Sequence, residues 1–107
     1  MKPQGLNEGG YFGETIEIES VLADCLAAAE ANGWSIHWLE TRNDLRLLTL
    51  HHAPKAPHRR IYLSSGIHGD EPAAPLAMRR LITENAWPND AELWLCPCIN
   101  PTGFSAN

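Results

Sequence analysis

His68 and Glu71 are the residues whose types and spacing best suit chemistry. They stand three apart in Gly66-Ile67-His68-Gly69-Asp70-Glu71, and that spacing lets an imidazole and a carboxylate point to one side. Each is an ordinary zinc ligand, held about 2.0–2.2 Å from the metal. Gly66 and Gly69 bracket His68 and permit a tight backbone path, and Asp70 can orient a ligand from behind. The pattern His-x-x-Glu also arises by chance, and a loop histidine is commonly just solvated. Placement at the end of a buried strand, with glycine on both sides, is what favours the metal.

The elements that must position this pair follow from hydrophobic periodicity. From Glu14 a helical stripe runs through Ile18, Val21, Leu22, Cys25, Leu26 and Ala29, with acidic residues near its start and Asn32-Gly33 as its stop. After Gly33 the period drops to two. Trp34–Leu39 and Leu45–Leu50 form a hairpin around the turn cluster Thr41-Arg42-Asn43-Asp44. Pro54 and Pro57 mark a loop, and Arg60–Ser65 is a buried-type strand ending at Gly66. Pro72 and Pro75 fall in the first turn of a helix that carries Leu76, Met78, Leu81 and Ile82 to about Glu84. Glu92–Cys96 is a second buried-type strand, and Asn100-Pro101-Thr102-Gly103 is a turn. The unit over 60–97 should be a right-handed crossover with parallel strands. The fold class is therefore α/β, a partial mixed sheet with flanking helices. Ligands in such sheets sit beyond the carboxyl ends of parallel strands, where the His68 loop and the Asn100 turn both lie.

The 107 residues allow one domain, with residues 1–13 a glycine-rich lead-in and 14–107 the folded part. Eight basic against thirteen acidic residues give a net charge of -5, which speaks against a nucleic-acid footprint. The sequence holds no polybasic patch and no run of about 20 apolar residues, and its first residues lead into no apolar stretch, so neither a signal peptide nor a membrane partner is expected. Three cysteines are too few and too odd in number for a disulfide framework, and the reducing cytoplasm is the expected compartment.

Ser64-Ser65-Gly66-Ile67-His68-Gly69-Asp70-Glu71-Pro72, followed by Leu95-Cys96-Pro97-Cys98-Ile99-Asn100-Pro101-Thr102-Gly103-Phe104, resembles the zinc carboxypeptidase family. The likeness is closest to its bacterial, murein-peptide amidase branch and extends to succinylglutamate desuccinylases and aspartoacylases. It is specific over 60–104 and weaker over 11–58. The resemblance implies a zinc-exopeptidase fold with His68 and Glu71 as metal ligands. It also implies a zinc-dependent hydrolase that cleaves an amide next to a free carboxylate, with a peptide as substrate. The alternative is deacylation of an N-acyl amino acid. In the family a third ligand, a His, lies well downstream, as do the general-base Glu and the carboxylate-binding arginines, and none of these precedes Asn107. His37, His51, His52 and His58 all precede the motif and match no family ligand. The chain is therefore expected to be the N-terminal part of a longer hydrolase, inactive alone, with no catalytic residue of its own beyond the two ligands. A reading from another class is a non-catalytic piece that acts by association, including self-association through an exposed sheet edge.

The remaining features have structural readings. Trp34, Trp38, Trp87 and Trp94 are expected as core anchors. His51-His52 and His58 are expected as solvated loop residues, and Arg59-Arg60 and Arg79-Arg80 as solvated element ends. Cys96 and Cys98 are expected on one face of a strand that stays regular, packed rather than reactive.

Overall fold

The computed structural model describes residues 15–41 and 45–106. The lead-in over 1–13, Glu14, residues 42–44 of the hairpin turn and Asn107 lie outside them. The elements in order are α1 (Ile18–Ala31), β1 (Ser35–Glu40), β2 (Arg46–His52), β3 (Arg59–Ser64), α2 (Ala73–Glu84), β4 (Ala91–Cys96) and α3 (Pro101–Ser105).

Helix α1 buries Ile18, Val21, Cys25 and Ala29, the three- and four-residue stripe. It stops where Asn32 donates its side-chain N–H to Ala28 O at 2.9 Å. Gly33 then turns the chain at φ 78, a conformation open to glycine without strain. Strands β1 and β2 pair antiparallel from Ser35↔His51 to Glu40↔Arg46. Just beyond them, Thr41 donates both its backbone N–H and its hydroxyl to Leu45 O, each at 2.8 Å.

The sheet order is β1-β2-β4-β3. β2 pairs antiparallel with β4, and β3 pairs parallel with β4. This is the mixed α/β sheet expected from the periodicity, with α2 linking the two parallel strands. Register places Ile36, Leu50, Leu95 and Leu63 in one row across all four strands. That face packs under α1 and α2 in a single core, which joins Val21, Cys25, Met78 and Ile82 to Leu48, Leu50, Leu93 and Leu95.

Several residues depart from expectation. Asn100-Pro101-Thr102-Gly103 does not form a free turn. It opens α3, because Asn100 caps the helix and Pro101 fits its first position. Pro72 stands at the N-cap of α2 rather than in its first turn. Leu81 is 45% exposed and lies off the buried stripe of Pro75, Met78 and Ile82. Strand β4 ends at Cys96, so strand alternation does not carry on to Cys98.

The tryptophans divide. Trp34 is buried and Trp87 packs beside it, edge-on at 5.8 Å. Trp34 also donates its indole N–H to Asn85, the left-handed residue that ends α2. Trp38 is 42% exposed, with the Arg46 guanidinium over its ring. Trp94 lies on the sheet face opposite the core, stacked at 4.0 Å on His51. His51 and His52 are strand residues, not loop residues. The His51 ring hydrogen bonds to Glu92 at 2.8 Å, and Glu92 also takes Arg60 at 3.0 Å. Strand β2 carries on past its apolar residues to His52 because β4 supplies partners as far as Leu93.

All three cysteines are free and buried. Burial pushes the Cys25 thiol up to about 11, with Arg79 pulling it down and Asp24 adding to the rise. Burial is also the main cause of the upward shifts at Cys96 and Cys98. The thiolate is the reactive form, so the native chain at pH 8 should alkylate slowly with iodoacetamide and the urea-unfolded chain fast. Equal rates in the two states would contradict the buried placement.

Candidate metal centre

The parallel strands end side by side at Ser64↔Cys96, and the two following loops are tied together. Ser65 N–H donates to Cys96 O at 3.1 Å, and Ile99 N–H donates to Ser65 O at 2.9 Å. The Ser65 hydroxyl donates to Pro97 O. Gly66 then turns at φ 79, directly under the Cys98 sulfur, where a Cβ would stand 3.0 Å from Sγ. A side chain there would be strained by both the torsion and the space.

The turn delivers His68 and Glu71 to the same side. Glu71 N–H donates to His68 O at 3.2 Å, and this closes the short loop between them. His68 Nδ1 and Glu71 Oε1 stand 3.2 Å apart. Two ligands held about 2.1 Å from a tetrahedral zinc are separated by about 3.4 Å, close to the spacing here, where the two atoms meet each other as a hydrogen-bonded pair. Their side chains are 63% and 42% exposed, so solvent reaches them, and their mutual contact contributes little to stability. Asp70 is half-buried beside them.

No third histidine, cysteine or carboxylate joins them into a group of three among the described residues. His51 stacks on Trp94 on the open sheet face and His37 lies tilted against the same ring, His52 packs against Trp34, and His58 lies in the exposed loop before β3. The structure thus brings together the two residues expected as ligands and leaves the other four histidines elsewhere.

Asn100 does more than the turn expected of it. Asn100 donates its side-chain N–H to Ile67 O, next to His68, at 2.9 Å. Its side-chain oxygen accepts from Gly103 N–H at 3.1 Å. The signal was present, because Asn followed at once by Pro is a helix-start pattern as well as a turn pattern.

No family model and no curated protein matches the sequence. Solved structures do match the fold. A candidate metallopeptidase from Shewanella denitrificans OS217 superposes with a TM-score of 0.69 at 24% identity, over 84% of this chain and 36% of that one. A second, from Shewanella amazonensis SB2B, gives 0.69 at 21% identity, over 83% and 35%. A structure of bovine thrombin-activatable fibrinolysis inhibitor in complex with tick carboxypeptidase inhibitor gives 0.59 at 14% identity, over 89% and 34%. The chain therefore has a metallopeptidase-like, carboxypeptidase-like fold and spans about a third of the length of these structures.

Proposed function

We propose that this chain carries one loop of the metal centre of a zinc-dependent hydrolase, with His68 and Glu71 as two of its protein ligands. The observation that supports this most directly is the 3.2 Å approach of His68 Nδ1 to Glu71 Oε1 at the carboxyl ends of two parallel strands, where α/β sheets build their sites. The likeness to candidate metallopeptidase structures supports the same choice of chemistry. Zinc, when bound, supplies a Lewis acid and a water of lowered pKa. His68 offers an imidazole nitrogen and Glu71 a carboxylate oxygen, and both side chains are reached by solvent. The proposed substrate is a peptide, or an N-acyl amino acid, cut at an amide next to a free carboxylate. Catalytic zinc sites use three protein ligands, so hydrolysis requires a third ligand and a general base from outside the described residues.

Zinc titration followed by NMR of the His68 imidazole tests the reading in the 107-residue chain. Zinc should shift the His68 and Glu71 resonances, with an affinity no tighter than tens of micromolar for two ligands. His68→Ala should weaken the binding at least about tenfold. Unmoved His68 resonances at millimolar zinc would remove it as a ligand. Stoichiometric binding below micromolar would contradict a two-ligand site.

A further inference from the structure

The ligand pair stands on a loop with little packing of its own. His68 is exposed and Glu71 half-buried, and Ile67 is 62% exposed. What holds the loop is a set of ties to the segment after β4, and Asn100 lies at their centre. Its carboxamide works at both ends. The oxygen accepts from Gly103 N–H, which caps α3, and also from the Thr102 hydroxyl at 3.3 Å. The N–H donates to the carbonyl of Ile67, the residue before His68. This orientation is fixed chemically, because an N–H must meet an oxygen and a carbonyl must meet a donor. Gly69, the residue after His68, lies against Gly103 so closely that a Cβ would fall 2.3 Å from its carbonyl carbon and oxygen. Both neighbours of His68 are therefore held by the segment 100–103.

We propose that Asn100 is a positioning residue for the metal-binding loop: its side-chain amide sets where Ile67, and hence His68, stands relative to α3. The proposal rests on the metal-centre reading for its purpose, but the tie itself concerns this chain's own atoms. An aspartate at 100 keeps the oxygen for Gly103 N–H, and Asp caps a helix about as well as Asn. It loses the donor to Ile67 O. Asn100→Asp thus separates the cap from the tie, and Asn100→Ser keeps a capping oxygen without adding charge, its hydroxyl one bond nearer the backbone than the amide nitrogen that meets Ile67 O.

The test is amide hydrogen exchange of the 107-residue chain as wild type, N100D and N100S, with a zinc titration read at the His68 imidazole alongside. Both variants should melt near the wild type. The Glu71 amide should exchange about tenfold faster in both, the change that one lost net hydrogen bond supports, while the amides of β4 keep their rates. Zinc affinity at His68 should fall about tenfold, even in N100D, whose added negative charge would by itself favour the cation. A Glu71 amide that exchanges at the wild-type rate in both variants overturns the proposal, as does a uniform acceleration through β4, which would assign Asn100 to global stability alone. Should wild-type His68 ignore zinc, the metal reading falls, and the exchange rates still decide the role of Asn100.

Discussion

The Gly69→Ala chain should melt about 10–20 °C below the parent. Gly69 does not need its glycine for torsion, since the described glycines with positive φ are Gly33 and Gly66. At such a position alanine would ordinarily stabilise by about 0.4–1 kcal/mol, through a less disordered unfolded chain. Here space decides the sign. The new Cβ would stand 2.3 Å from both the carbonyl carbon and the carbonyl oxygen of Gly103, and 2.9 Å from its Cα. These are backbone atoms and cannot swing aside as a side-chain end could. Gly103 is also held in place, because its N–H is bonded to Asn100, which in turn holds Ile67. Relief requires the two loops to part by about 1 Å, an overpacking cost of about 3 kcal/mol. Gly33→Ala provides the contrast. Nothing lies within 4 Å of its Cβ, so only the left-handed torsion opposes it, at about 1–2 kcal/mol. Calorimetry of the two variants checks the comparison. A Gly69→Ala chain that melts at or above the Gly33→Ala chain would show that the loops are not in backbone contact.

Leu95→Ala should cost about 2–5 kcal/mol, a large share of the roughly 5–15 kcal/mol that holds a domain together. Leu95 is fully buried in β4, between Leu50 on β2 and Leu63 on β3. Neighbours on both sides are fixed by ladder hydrogen bonds, so the cavity left by truncation cannot close easily. Tyr62→Ala is the matched control. Tyr62 pairs with Trp94 on the opposite face and is 64% exposed, so its truncation should stay within about 0.5 kcal/mol. Urea unfolding should show the Leu95→Ala midpoint fall with an unchanged slope. Equal midpoints for the two variants would reverse the assignment of the core face.

Most of the element order was legible from periodicity and punctuation. The stripe at Ile18, Val21, Cys25 and Ala29 predicts a helix because burial on one face needs that spacing, and the same residues are the buried ones. The alternation around Ile36 and Leu48 to Leu50 predicts a hairpin for the same kind of reason. The strands before His68 and Asn100 were legible as short apolar runs between breakers. Surroundings were harder to read. Trp38 and Trp34 lie four residues apart in sequence, yet one faces solvent and the other the core. His51 reads as part of a loop because a histidine pair leading into Ala53-Pro54 carries no strand signal. It is a strand residue because β4 reaches it and Glu92 bonds its ring.

The residue types at 68 and 71, and the glycines around them, are matters of sequence: three positions of spacing and a flexible backbone suffice to bring an imidazole and a carboxylate together. Their support is not a local matter. Asn100 is 33 residues from Ile67, and Gly103 is 34 from Gly69. Those contacts arise because β3 and β4 pair in parallel and end at one level, so two loops that are distant in the chain emerge side by side. Parallel pairing is a long-range choice, made by burying the Leu50–Leu95–Leu63 row beneath two helices. The chemistry of the loop was therefore open to inspection residue by residue, while the hold on it came from folding the sheet.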